Sequence, residues 1–106
     1  MTKIFISQPM KNKTTEEIFK ERSKIIDFLN KEYGEKEIQV IDSILKDDSN
    51  SVWCLGKSIQ LMSEADVVVF CYGWDRARGC KIEHKICKEY GIEFAYITDE
   101  MNLELQ

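Results

Sequence analysis

One segment limits the fold of this chain more than any other: the apolar run from Ala65 to Tyr72, ADVVVFCY. β-branched residues fill its centre, and no polar side chain interrupts it after Asp66. A strand with one solvent-facing side alternates apolar and polar residues, whereas a strand covered on both faces is continuously apolar. The run therefore predicts a central strand of a parallel sheet that carries helices on both faces.

Three further strand-like runs, Lys3–Ser7, Ile38–Ile41 and Phe94–Ile97, alternate with helical segments along the 106 residues. At roughly 150 residues per domain, this length allows a single domain, 1–106. An order of βαβαβαβ builds a parallel sheet with right-handed crossovers. We expect a small doubly wound α/β domain whose parallel sheet has four strands, with a fifth left open.

End signals mark the three helices. Thr14–Glu17, TTEE, fits a capping box at the start of the first helix, and Gly34 suits its end. The second helix is expected after Ser49–Ser51, and the third from about Gly79 to Tyr90. Ligands of such folds bind beyond the carboxyl ends of the strands, so the loops that follow the strands are the expected site.

The charge balance limits the classes of binding partner that we expect. Fifteen basic residues stand against 19 acidic ones, a net charge of −4, and no long basic run occurs. Broad binding to nucleic acid or to a membrane surface needs a positive face, so we expect neither. Without an 18-residue apolar stretch or a signal-peptide pattern, and with four cysteines that form no CxxC pair, the chain is predicted to be cytoplasmic.

The sequence lacks the motifs of several activities that occur on doubly wound folds. The sequence contains no GxGxxG after the first strand, no GxxxxGK[ST] and no GxSxG. Cys80 and Cys87 share a helical face with the single histidine, yet about 10 Å of helix axis would separate the two cysteines. We therefore expect no metal and no organic cofactor.

Glu83 is the most informative residue of the third helix. The expected inward stripe of that helix is Gly79, Ile82, Glu83, Ile86 and Tyr90, which is apolar except for this glutamate. The helix dipole would favour its anion while partial burial would disfavour it, and such opposed effects tune a carboxylate for chemistry. The alternative is a rim glutamate without a chemical role.

The loop before this helix holds the other candidates. Asp75 would pair with Glu83 across the cleft, although a turn or N-cap role is also open. Trp74 would stack on a base, and Arg76 and Arg78 would meet a phosphate or carboxylate. Packing and simple solvation are the alternatives for these three.

Two segments resemble nucleoside 2-deoxyribosyltransferase-like proteins, in particular a short branch of that family. Lys3–Met10, KIFISQPM, resembles the family's YISGPM opening, and Gly73–Glu83, GWDRARGCKIE, resembles its GWexSxGAxxE segment. The resemblance implies a flavodoxin-like (Rossmann-like) sheet and a homodimer or larger homo-oligomer with sites at subunit contacts. It also implies a small-molecule nucleoside or nucleotide as substrate.

In that family a glutamate attacks the anomeric carbon of a 2′-deoxyribonucleoside and releases the base. A second base or water then resolves the covalent intermediate. The resemblance assigns the nucleophile to Glu83 and an acid/base or sugar contact to Asp75. The implied substrate-binding residues are Phe5, Ser7, Gln8, Pro9, Met10, Gly73, Trp74, Arg76, Arg78 and Gly79.

Four positions depart from the family pattern. Phe5 replaces a tyrosine whose hydroxyl would orient the glutamate, and Gln8 replaces a glycine. Ala77 replaces a serine, and Cys80 replaces an alanine. The leading prediction is cleavage of the N-glycosidic bond, or deoxyribosyl transfer, on a 2′-deoxynucleoside or its 5′-monophosphate. The alternatives are a non-catalytic nucleotide-binding protein that uses the same cleft and a protein whose aromatic surface serves only oligomerisation.

Overall fold

A computed structural model of the chain describes residues 1–34, 37–43 and 51–99. Strands and helices alternate through these ranges as the sequence predicts. The elements are β1 (Thr2–Ser7), α1 (Thr15–Tyr33), β2 (Ile38–Val40), α2 (Ser51–Met62), β3 (Val67–Phe70), a 3₁₀ turn (Trp74–Arg76), α3 (Arg78–Tyr90) and β4 (Phe94–Tyr96).

The four strands form one parallel sheet in the order β2-β1-β3-β4. The predicted doubly wound α/β fold with a parallel sheet is confirmed, and its order is compatible with a small flavodoxin-like domain. The sheet has four strands within the described residues, and the extent of a single domain over 1–106 reaches outside them and stays a prediction.

The direction of chain travel across the sheet reverses between β1 and β3. Ile4 pairs with Val67 and Ser7 with Phe70, so both strands end at the same edge. At the opposite end, Asp66 Oδ2 accepts a hydrogen bond of 2.8 Å from the Lys3 N–H. A reversal of this kind opens a crevice beyond the carboxyl ends of the two strands.

Side chains of β1 and β3 alternate between two apolar layers, as the pleat of a strand requires. On one face, Ile4, Ile6 and Val69 pack with Ile25 and Leu29 of α1. On the other face, Phe5, Val68 and Phe70 pack with residues of α2 and α3, Met62 and Cys87. Both faces of the central strands are therefore covered, which explains the continuous apolar run.

Helix α1 has the predicted capping box. Thr14 Oγ1 accepts a hydrogen bond of 3.1 Å from the Glu17 N–H, and Glu17 Oε1 accepts one of 3.1 Å from the Thr14 N–H. Gly34 follows the helix at φ 91°, a conformation that favours glycine. Local sequence signals thus set both ends of this helix.

The inward face of α3 differs from the predicted stripe. Its buried residues are Cys80, Glu83 and Cys87, whereas Ile82 is 38% exposed and Tyr90 is 79% exposed. The prediction was wrong for Ile82 and Tyr90. Ile82 precedes Glu83 by one residue and thus lies about 100° around the helix, while Tyr90 is the last residue of the helix.

No disulfide joins the four cysteines, and burial raises the pKa of the Cys71 thiol to about 12. Within the described ranges, none of the helices has the length and apolar character needed to cross a bilayer.

The capping box yields a direct test of α1. We expect Thr14→Ala to lower the free energy of unfolding by about 1 kcal/mol, because the Glu17 N–H loses its side-chain acceptor. Thr15→Ala, one position inside the helix, is the matched control and should change stability by much less. Urea denaturation measures both, and equal losses would contradict the capping role of Thr14.

Candidate functional site

A cleft of about 600 Å³ lies at the carboxyl edge of the sheet, where the chain reversal predicts it. Loops that follow β1, β2 and β3 line it together with α2 and α3. The lining residues are Phe5, Ile6, Ser7, Gln8, Pro9, Met10, Lys11, Ser43, Cys54, Leu55, Ser58, Arg76, Ala77, Arg78, Gly79, Cys80 and Glu83.

Glu83 lies in the second turn of α3 and is 5% exposed. Ser7 Oγ, at the end of β1, donates a hydrogen bond of 2.7 Å to Glu83 Oε1. Ser58 Oγ, on α2, donates one of 2.9 Å to Glu83 Oε2. Three separate elements therefore converge on one carboxylate, and each of its oxygens accepts a hydroxyl.

Burial raises the pKa of Glu83 above its ordinary value, and the hydrogen bonds from Ser7 and Ser58 oppose that shift. The larger of these effects is desolvation, because the charged form loses water that two neutral hydroxyls only partly replace. The helix dipole expected from the sequence acts mainly within the first turn, and Glu83 lies beyond it. A carboxylate in this position is weakly solvated and holds its proton more tightly than an exposed glutamate.

Ser58 is the residue that the sequence reasoning missed. Phe5 is 1% exposed and lines the cleft without a hydroxyl, so the second hydrogen bond to Glu83 comes from α2 instead. A serine in the middle of an amphipathic helix has no distinguishing sequence signal. Only the packing of α2 against α3 brings the Ser58 hydroxyl to the carboxylate.

The loop after β1 contributes Gln8, Pro9 and Met10 to the lining of the cleft. Gln8 is 6% exposed, and its Nε2 donates to the Ile18 carbonyl at 3.0 Å and to Glu21 Oε1 at 3.2 Å. Its Oε1 is buried without a hydrogen-bond partner in the part of the chain that the structure describes. The two hydrogen bonds from its amide therefore hold the loop against α1.

Arg76, Arg78 and Gly79 also line the cleft, and their predicted binding of a substrate stays a prediction. Both arginines are exposed at the rim, and the Arg76 guanidinium lies 5.3 Å from the centre of the Tyr72 ring. Gly73 lines a second cavity rather than this cleft; at φ 89°, an added Cβ would stand 3.3 Å from an Arg76 nitrogen. Gly73 therefore leaves room for the Arg76 side chain.

Trp74 and Asp75 lie outside the residues that line the cleft. The Trp74 ring packs on His84, with ring centres 4.1 Å apart, and on Tyr96 at 5.5 Å. His84 Nε2 and Tyr96 Oη are 2.7 Å apart, which ties the aromatic group together. Asp75 is exposed on the 3₁₀ turn, so the expected roles of Trp74 and Asp75 toward a substrate stay predictions.

Cys80 borders Glu83 in the cleft, and burial raises the pKa of its thiol to about 11. The thiol is therefore protonated at neutral pH and is a poor nucleophile. Among the residues at 1–34, 37–43 and 51–99, no three His, Cys, Asp or Glu side chains group as metal ligands. Among the described residues that line this cleft, Glu83 is the carboxyl group that is both buried and hydrogen-bonded.

Neither a family model nor a curated protein sequence matches this chain. The resemblance to nucleoside 2-deoxyribosyltransferase-like proteins thus stays a prediction. The geometry of the cleft has to carry the functional argument.

The raised pKa of Glu83 predicts how stability varies with pH. The folded state holds the Glu83 proton more tightly than the unfolded state, so protonation of Glu83 stabilises the fold. This stabilisation is fully present below the ordinary pKa of 4.5 and is lost as pH rises through the pKa of the folded state. Glu83→Gln cannot ionise and escapes that loss. We expect its stability relative to wild type to increase from about pH 4 to about pH 8 in urea denaturation.

Glu89→Gln is the control for this comparison, since Glu89 is exposed on the same helix. It should follow the wild-type pH profile closely. A constant difference between Glu83→Gln and wild type across the pH range would contradict a raised Glu83 pKa.

Removing the Ser58 hydroxyl should raise the Glu83 pKa further, because Oε2 loses a donor that favours the charged form. Titration of the ¹³C-labelled Glu83 carboxyl by NMR in Ser58→Ala measures the shift. Ser63→Ala is the matched control, since that hydroxyl bonds the Gln60 carbonyl instead. An unchanged Glu83 titration in Ser58→Ala would show that the Ser58 hydroxyl does not act on the carboxyl.

Proposed function

We propose that this protein cleaves the N-glycosidic bond of a 2′-deoxynucleoside or its 5′-monophosphate, with Glu83 as the nucleophile. The observation that carries the proposal is the Glu83 carboxylate, buried in the cleft and hydrogen-bonded only by the neutral donors Ser7 and Ser58 within the described residues. The family resemblance supports the choice of reaction and substrate class.

The first step forms a bond between a Glu83 oxygen and C1′ of the sugar and breaks the bond between C1′ and the base nitrogen. The electron pair of the broken bond leaves with the base, which takes a proton from solvent or from an acid. Water or a second base then attacks C1′ and releases the carboxylate. A covalent intermediate of this kind needs no metal and no organic cofactor.

The raised pKa of Glu83 suits this role. Partial desolvation makes the ionised carboxylate a stronger nucleophile, while the two serine hydroxyls keep it aimed into the cleft. One of its oxygens must exchange a serine hydrogen bond for the bond to C1′. Base release should therefore rise with pH through the Glu83 pKa.

The cleft walls supply the remaining contacts. Its volume of about 600 Å³ lies within the range of small-molecule sites and accommodates a nucleotide. Arg76, Arg78 and Lys11 at the rim suit a 5′-phosphate, because a guanidinium binds two phosphate oxygens at once.

A non-catalytic nucleotide-binding protein is the second candidate. Among the described residues that line the cleft, Glu83 has the only carboxyl group, and Asp75 lies outside the lining. Those described lining residues therefore offer no second carboxyl group as a general acid for the departing base. That arrangement favours binding without turnover, unless another copy of the chain supplies the acid.

We also propose that the protein forms a homo-oligomer and that it is cytoplasmic. Trp53 is 56% exposed and Val52 is 80% exposed on α2, one turn from the cleft residue Leu55. Large apolar side chains of this kind are enriched at subunit interfaces. Sedimentation of the full chain measures the number of subunits.

The test incubates the full chain with 2′-deoxynucleosides and their 5′-monophosphates, with and without an acceptor base. Chromatography then detects released or exchanged base. We expect Glu83→Gln to lower the rate by roughly a thousand-fold or more, since it removes the nucleophile. Glu89→Gln, an exposed change on the same helix, should retain the wild-type rate.

The other outcomes separate the candidates. Absence of base release from folded wild-type protein, together with stabilisation by a nucleotide in thermal unfolding, would favour the binding protein over the enzyme. Absence of both would reject the nucleotide cleft altogether.

A further inference from the structure

A second cavity, of about 530 Å³, lies on the other side of the loop that follows β1. Whereas α2 and α3 line the cleft, residues of α1 line this cavity, together with the ends of β3 and β4. Pro9, Lys11, Arg76 and Ala77 border both spaces. Glu83 does not line the second cavity, so the reaction proposed for Glu83 does not use this cavity.

The described residues that line this cavity carry an excess of positive charge, on a chain of net charge −4. Lys13 and Glu21 form an ion pair of 2.9 Å, so their charges cancel. Among the other described lining residues, the three cations Lys11, Lys24 and Arg76 stand against the carboxylate of Asp99. A local excess of positive charge on an acidic protein attracts anions selectively to this place.

The floor of the cavity is apolar. Ile25, Cys71 and Ile97 line it and are 6%, 5% and 2% exposed. Burial raises the pKa of the Cys71 thiol to about 12, so this side chain is neutral at physiological pH. An apolar floor beneath a cationic rim suits a ligand that has an anionic head and an apolar body.

Arg76 is held at the boundary between the two spaces. Its guanidinium stacks over the Tyr72 ring at 5.3 Å, and Tyr72 itself lines the second cavity. A guanidinium held in this way remains able to bind two oxygens of a phosphate. The ring also extends the apolar surface beside the cation.

We propose that the second cavity binds a small organic phosphomonoester, with its phosphate at Lys11, Lys24 and Arg76 and its apolar part on Ile25, Cys71 and Ile97. This site is separate from the nucleophile and does not depend on the reaction proposed for Glu83. Lys24 is its most specific cation, because Lys11 and Arg76 also border the cleft.

The test titrates the full chain with phenyl phosphate in a calorimeter at constant ionic strength. We expect Lys24→Gln to weaken binding roughly three- to tenfold, as the loss of one charge-assisted contact should. Lys20→Gln, one helical turn away and outside both cavities, makes the same change of charge and should leave the affinity unchanged. Both lysines are exposed on α1, so neither change threatens folding.

Two further arms locate the ligand. Inorganic phosphate should bind more weakly than phenyl phosphate, because it has no apolar part for the floor. The binding that Lys24→Gln weakens should persist in Arg78→Gln, since Arg78 borders only the cleft. Equal effects of Lys24→Gln and Lys20→Gln, loss of the Lys24-dependent binding in Arg78→Gln, equal affinity for inorganic phosphate, or no binding by wild type would each overturn the proposal.

Discussion

The pairing of β1 with β3 at the centre of the sheet is the constraint on which the rest of the molecule depends. From Ile4 to Ile6 in β1 and from Val67 to Phe70 in β3 the side chains are apolar and buried, and polar side chains follow β1 at the carboxyl edge. Ser7 and Gln8 lie at that edge. The reversal between these two strands opens the space that the cleft occupies.

A buried carboxylate is costly unless hydrogen bonds replace its lost water, and here three elements share that task. β1 contributes Ser7, α2 contributes Ser58, and α3 contributes Glu83 itself. Because the donors are neutral, the charge is stabilised only in part and the pKa stays raised. The site thereby combines a defined orientation with retained reactivity, which is the physical basis of the proposed nucleophile.

Prediction from the sequence succeeded where short-range rules apply. The capping box at Thr14, the glycine ends of α1 and α3, and the continuous apolar run of β3 follow from local chemistry, so the element order and fold class could be inferred. Prediction failed at Ile82 and Ser58. The exposure of Ile82 and the contact of Ser58 depend on how α2 and α3 pack together, and no spacing within one helix records that packing.

The sequence alone therefore determined the parallel α/β architecture and directed attention to the carboxyl edge of the sheet and to Glu83, because apolar periodicity and element order follow from local patterns. Tertiary structure decided which groups meet there. It brought Ser7 and Ser58, which are 51 residues apart in the chain, to opposite oxygens of Glu83. It also placed the Trp74 ring in an aromatic cluster outside the cleft and created a second cavity with a cationic rim, since distances between separate elements arise only when they pack.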